Sequence, residues 1–291
     1  MARRTVRLAI KDARTAKGLT QTQVAEAMEW SLSKVMRIES GEVTISQNDL
    51  RPLLTYLSVR EKARVDELIQ AAKASKQRRQ WWDERRFASL VTTAMKQWFS
   101  YEFEATSIRI FCASYLPAFL QTPAFARSLL EFFEDELSKE EITARIETRT
   151  RRRQAIDQRK VKPQIFMLLD ESVLYRGHGH PDVLRQQLSA ALEVIREGWV
   201  TARIAPYEVV NPGIGHWEIL YLGQEDLEHA VLYRENATRD EIIDDPASLT
   251  RHLKQWNKIW QAAHDEEKSV ELIERRIGEL VEKSARTKST P

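Results

Sequence analysis

Apolar residues return every three or four positions through the first 76 residues, the spacing of helices that each bury one face. Val6, Ile10 and Ala13 form the first stripe, which stops at Lys17-Gly18, a basic last turn followed by a residue that readily leaves the helical region. Thr20 starts a second helix, with Gln23 three residues on to complete a capping box and with Val24, Ala25 and Met28 inside. Ser31 opens a third, holding Val35 and Ile38 inward and ending at Ser40-Gly41. Ser46 opens a fourth, striped by Leu50, Leu53, Leu54 and Leu57, and Glu61 to Lys76 supplies a fifth through Val65, Leu68, Ile69 and Ala72. Nothing there alternates with period two for long enough to make a strand.

The pattern changes after the polar connector Lys76 to Gln80, and Trp81-Trp82 opens a new region. This divides the chain near residue 79, into an all-α five-helix domain over 1–78 and a larger α+β domain over 79–291. In the second, Gln164 to Leu169, Val200 to Ala205, Trp217 to Leu222 and His229 to Tyr233 are strands separated by turn residues. Leu120-Gln121-Thr122-Pro123 reads as a helix ending in a polar turn, and Leu184 to Ile195 as an amphipathic helix. Asp245-Pro246 begins the first of two long amphipathic helices that close the domain. Their stripes are Leu249, Leu253, Trp256, Trp260 and Ala263, then Val270, Ile273, Ile277 and Leu280.

Charge sharpens the division. The net charge of +2 hides 16 Lys/Arg against 9 Asp/Glu in residues 1–80, a surplus of seven, and a deficit of five in the rest. A basic head on a mildly acidic body is the electrostatic footprint of a nucleic-acid-binding module carrying a sensing or assembly domain. The single cysteine, Cys112, excludes an internal disulfide framework and any multi-cysteine metal cluster, and it reads as a small buried hydrophobe. No apolar run approaches the ~20 residues of a membrane span, and the basic N-terminus leads into further charges, so the expectation is a cytoplasmic protein acting at the nucleoid.

The segment from Leu19 to Gly41 resembles the helix-turn-helix of the Cro/lambda-repressor-like (Xre) regulators. Two short helices joined by a tight turn let the second project into a major groove about 12 Å wide. With Val35 and Ile38 buried, Leu32, Ser33, Met36 and Arg37 occupy the outer face, where the resemblance implies base reading. Arg37 is the best suited, because a guanidinium bonds guanine O6 and N7 together. Gln21 matches the family's phosphate anchor, Ser31 and Lys34 are further backbone contacts, and Arg14 and Glu39 occupy positions that pair as a structural salt bridge. Glu29-Trp30 stands in the turn where many relatives carry Gly.

Farther on, the chain resembles the C-terminal domain of actinobacterial antitoxin-like regulators. The carrying residues are Glu102-x-x-Ala105-x-x-Ile108-Arg109, Leu116-Pro117-Ala-Phe-Leu120-Gln121-Thr122-Pro, Arg149-x-x-x-Arg153-Gln154, Leu169-Asp-Glu171-x-x-Leu174-x-Arg176, Ile204-Ala-Pro206 and Glu267-Lys-Ser269. That resemblance implies a regulator commonly encoded beside a small partner protein. Gln121, Thr122, Glu171 and Arg176 are candidates to line a ligand or partner pocket, each with a structural alternative as a cap or an internal pair. The basic run Arg149 to Arg153 reads as a solvated helix face, and the tryptophans as core or dimer seam. No G-x-S-x-G, phosphate-cradling loop or H-E-x-x-H occurs, and His178-Gly-His180 has no cluster to complete a metal shell, so neither catalysis nor a metal or cofactor is expected.

The expectation is therefore a homodimeric regulator of duplex DNA, binding a pseudo-palindromic operator and modulated by a small partner protein through its C-terminal domain. The alternatives keep the DNA-binding head but make that domain a small-molecule sensor or, more remotely, an enzyme.

Overall fold

The first five helices are α1 (Ala2–Ala16), α2 (Gln21–Ala27), α3 (Leu32–Ser40), α4 (Gln47–Tyr56) and α5 (Lys62–Ser75), and hydroxyl caps start the middle three. The Thr20 hydroxyl accepts from the Gln23 amide while the Gln23 side chain accepts from the Thr20 amide, as their spacing predicts. Ser31 and Ser46 cap α3 and α4 through their hydroxyls, and Gly41, at φ +79°, ends α3 in the left-handed conformation. These helices belong to the first of two units, Met1–Asp83 and Glu84–Pro291. The computed structural model describes residues 2–75, 80–87, 90–132, 135–177, 180–209, 215–235 and 240–288.

The stripes read from the sequence meet in one core. Val24, Val35, Ile38, Leu50, Leu53, Leu54 and Leu68 are buried together with Val6 and Ile10 of α1, and Met28 and Trp30 pack against them from the turn. Burying each such aliphatic side chain contributes about 1.5–3 kcal/mol relative to leaving it in water.

In the second unit six strands form one mixed sheet: β1 (Ser107–Cys112), β2 (Gln164–Asp170), β3 (Val200–Ala205), β4 (Trp217–Tyr221), β5 (Ala230–Glu235) and β6 (Asp240–Ile243). Their spatial order is β3-β2-β1-β4-β5-β6. β1, β2 and β3 run parallel, whereas β4 lies antiparallel to β1 and begins the meander into β5 and β6. The chain thus travels outward from β1 to β3 and then returns to lay β4 on the other side of β1. The parallel crossovers use α7 (Pro123–Glu131) with α8 (Lys139–Asp157), then α9 (Pro181–Arg196). α6 (Thr93–Glu104) precedes β1, and α10 (Pro246–Ala262) and α11 (Glu266–Lys288) close the unit as expected. α10 presses Leu249, Trp256 and Ile259 onto Phe111, Trp217, Ile219 and Leu232. The residues alternating with these, Glu218 and its register partner Tyr233, meet Trp98 of α6 instead.

One sequence expectation is extended and one corrected. Leu120 does end a short helical turn, Ala118–Leu120, with Gln121 as its cap, and the same element also begins the next helix: Thr122 accepts from the Phe125 amide and Pro123 takes the first helical position of α7. The run Arg149 to Arg153 is not a solvated face throughout. Arg152 is 3% exposed and paired with Glu102, and Arg149 turns inward to Gln121, while Arg151 and Arg153 stay near water beside Glu147 and Asp157.

Candidate DNA interface and a charged cavity

On α3 the buried apolar residues Val35 and Ile38 hold the helix to the core, with Glu39 buried beside them, and leave Leu32, Ser33, Met36 and Arg37 exposed. Leu32 and Met36 keep 42% and 50% of their surface in water, one turn apart on the same helix. The Arg37 guanidinium makes no hydrogen bond or ion pair among the described residues.

The frame behind this face is polar. Arg14 donates to both oxygens of Glu39 at 2.6 and 2.8 Å and to the Leu19 carbonyl at 2.8 Å, which raises the Arg14 pKa through its hydrogen bond to Glu39. Gln21 donates to the same Glu39 carboxylate at 2.8 Å, so its side chain is oriented by the salt bridge. Ser31 is committed as the cap of α3. Lys34 lies 3.8 Å from the centre of the Trp30 ring and 3.3 Å from Asp49. Glu29, in the turn, is held at φ +54°, a region that glycine enters without steric cost.

In the second unit the loops at one end of the sheet enclose a cavity of about 870 Å³. Ser114 to Ala118, following β1, form one wall, and His216, preceding β4, forms the adjoining one. The cavity therefore opens at the carboxyl end of β1, where the strand order reverses, the place at which open sheets of this kind leave a crevice. Leu90, Phe99, Leu116 and Leu129 supply apolar lining, and α8 contributes Arg145, Thr148, Arg149 and Arg152.

Beneath the cavity lies a buried polar network. Arg152 donates to both Glu102 oxygens at 2.6 and 3.0 Å and lies 3.8 Å above the Trp98 ring, whose indole N–H donates to Glu218 at 2.9 Å. Trp98 also stacks on Tyr233 at 3.9 Å. Burial works against the Arg152 charge, but Glu102 outweighs it and raises the pKa, while burial pushes the Glu102 carboxyl up against the pull of Arg152. His216 Nε2 lies 3.0 Å from Glu218 and Nδ1 3.5 Å from Cys112 Sγ. Burial lowers the His216 pKa, yet contact with Cys112 and Glu218 leaves it well above the ordinary histidine value. Cys112, His216 and Glu218 thus follow one another in the order of a nucleophile, base and acid, but Cys112 is wholly buried and burial pushes its thiol up. Enclosed in this way, the sulfur is poorly placed for attack on a substrate.

The four pocket candidates are not brought together. Gln121 lines the cavity, donating to the Leu116 carbonyl and accepting from Arg149. Thr122 is a helix cap whose amide donates to the buried Gln187, and Gln187 donates in turn to the Leu120 carbonyl. Gln187 is thus the residue that fixes the Leu-Gln-Thr-Pro element, and no local signal marks it. Glu171 accepts from the Tyr207 amide and Arg176 is exposed, both outside the cavity lining. Of the histidine pair, His180 caps α9 and His178 lies outside the described residues.

Residues 95–275 match the domain of unknown function DUF5753, more than half of the chain. The chain belongs to that family. Residues 8–68 match a helix-turn-helix domain, a segment that contains α2 and α3 whole. No curated protein and no solved structure matches the chain. All the cavity-lining residues except Leu90 and Thr92 fall inside the DUF5753 segment. Among the described residues no helix is long and apolar enough to cross a membrane.

Proposed function

We propose that the chain is a sequence-specific transcriptional regulator of the cytoplasm and nucleoid. It binds a pseudo-palindromic operator as a homodimer, with half-sites about 34 Å apart or a multiple of that. The observation that carries this reading is the exposed set Leu32, Ser33, Met36 and Arg37 on a helix anchored from behind by Arg14, Glu39 and Gln21. Arg37 reads a base edge, Leu32 and Met36 meet thymine methyl groups, and Gln21, Ser31 and Lys34 lie toward the phosphates. The test is binding to DNA upstream of this gene at fixed salt. Arg37→Ala is expected to cost roughly 1–3 kcal/mol on the specific site and relax preference at one position. Equal loss on random DNA would make Arg37 a phosphate contact instead.

The DUF5753 domain modulates this affinity by binding rather than by catalysis. Its likeness to antitoxin-like regulators suggests a small protein encoded nearby as the signal. The cavity favours a small molecule: its volume falls within the range of about 300–1,000 Å³ of ligand pockets, and polar side chains converge on an apolar lining.

A further inference from the structure

Three arginines of α8, at 145, 149 and 152, recur at helical spacing and face one cavity, an arrangement of like charges that costs stability. The charges behind the cavity match without two of them. Arg152 is neutralised by Glu102, and Glu218 by His216. Arg149 donates Nε to Gln121 at 3.0 Å and Nη1 to the Arg145 carbonyl at 3.0 Å, which leaves the remaining N–H groups of its fork unassigned among the described residues. The Nε of Arg145 is buried with no hydrogen-bond partner. No carboxylate of the described residues lies within 4.0 Å of either guanidinium. The two carboxylates of the lining, Glu235 and Asp240, form no ion pair with either guanidinium among the described residues: Glu235, exposed, acts on Arg149 only through its charge, and Asp240 accepts from Thr92 and Tyr233. Burial, with Arg152 beside it, pulls the Arg149 pKa down to about 10. Gln121, itself held by the Leu116 carbonyl, fixes the direction of the fork.

We propose that this cavity binds a small organic anion, its oxyanion head held by Arg145 and Arg149 and its apolar body against Phe99, Leu116, Leu129 and Leu130. Such a head supplies the acceptors that the two guanidiniums lack, and forked donors suit carboxylate and phosphate oxygens alike. The inference rests on the reading of the DUF5753 domain as a small-molecule sensor.

The test is calorimetric titration of the full-length protein with phenyl phosphate, phenylacetate, benzyl alcohol and inorganic phosphate. Phenyl phosphate or phenylacetate is expected to bind, at least about tenfold more tightly than inorganic phosphate or benzyl alcohol. Arg149→Met and Arg145→Gln are each expected to weaken that binding at least about tenfold, with thermal unfolding reporting whether each variant is folded. Should Arg149→Met fail to fold, Arg145→Gln decides. Binding of benzyl alcohol as tight as that of the anions, binding of inorganic phosphate as tight as that of phenyl phosphate, or no binding by either aryl anion would each overturn the proposal. DNA binding measured with and without the anion separates the two readings. An anion that binds through Arg149 and leaves DNA affinity unchanged upholds the site and refutes the sensor. DNA binding intact in a protein that takes up no anion refutes the site alone.

Discussion

Glu39 holds together the polar frame behind α3. Its carboxylate is 4% exposed and takes two hydrogen bonds from Arg14 and one from Gln21. Glu39→Gln removes the charge while keeping one acceptor, and leaves the Arg14 guanidinium, itself only 15% exposed, without its counter-charge. Breaking a fully buried pair costs about 3–5 kcal/mol, and the partial exposure of Arg14 returns some of that to water, so a loss of about 2–4 kcal/mol is expected. A unit of this size has a total stability of about 4–11 kcal/mol. Hydrogen exchange in the full-length protein reads the unit separately, and the slowest amides of α2 to α4 should exchange about 30- to 700-fold faster. Arg14→Met should cost a similar amount, and the double variant much less than the sum of the two, because neither residue is then stranded. Strictly additive losses, or single losses under about 1 kcal/mol, would show that the pair is incidental and that Gln21 is oriented by something else.

Two further outcomes follow from the local geometry. Glu29→Gly should stabilise the first unit by up to about 1 kcal/mol, since the left-handed turn costs an L-residue more than glycine loses in chain entropy; slower exchange of the α2 and α3 amides is the readout, and faster exchange refutes it. The raised His216 pKa predicts stability that is fully present below the unfolded-state histidine value of about 6.5 and lost as pH rises through the folded value. Thermal unfolding across that window should show a fall that His216→Gln removes; a fall of the same size in the variant would assign it to other groups.

Helical periodicity and capping residues made most of the first unit readable, because the signals there are local: a hydroxyl at the start of α2, α3 and α4, a glycine at the end of α3, and an apolar stripe along each helix. β1 was not read, because Arg109 interrupts its apolar run. In the fold Arg109 lies over the Tyr221 and Trp256 rings and pairs with Glu225, contacts supplied from more than a hundred residues away. β6 was missed for a different reason, since Asp240-Glu-Ile-Ile is a short edge strand carrying the charges that edges favour. Gln121 was legible as a candidate and its partner Arg149 was not, because the helical spacing of a basic run does not say which side faces water.

That ambiguity bears on how the domain works. A helix in which arginines recur at positions 145, 149 and 152 has the composition of a solvated surface, and two of its neighbours, Arg151 and Arg153, do keep to solvent beside their own carboxylates. The inward set follows different chemistry. Arg152 is fully matched by Glu102, so replacing it would strand a buried carboxylate and act on the fold as a whole. Arg149 has only neutral partners, an amide oxygen and a carbonyl, so its removal strands no charge. The two residues differ by one turn of helix, yet one is bound to the integrity of the domain and the other is free to serve whatever enters the cavity. The charge-matched Arg152, tied to the core between α6 and the sheet, and the unpaired Arg149 are therefore neighbours on one helix, so under the proposed anion binding an occupant of the cavity would contact a residue next to that core.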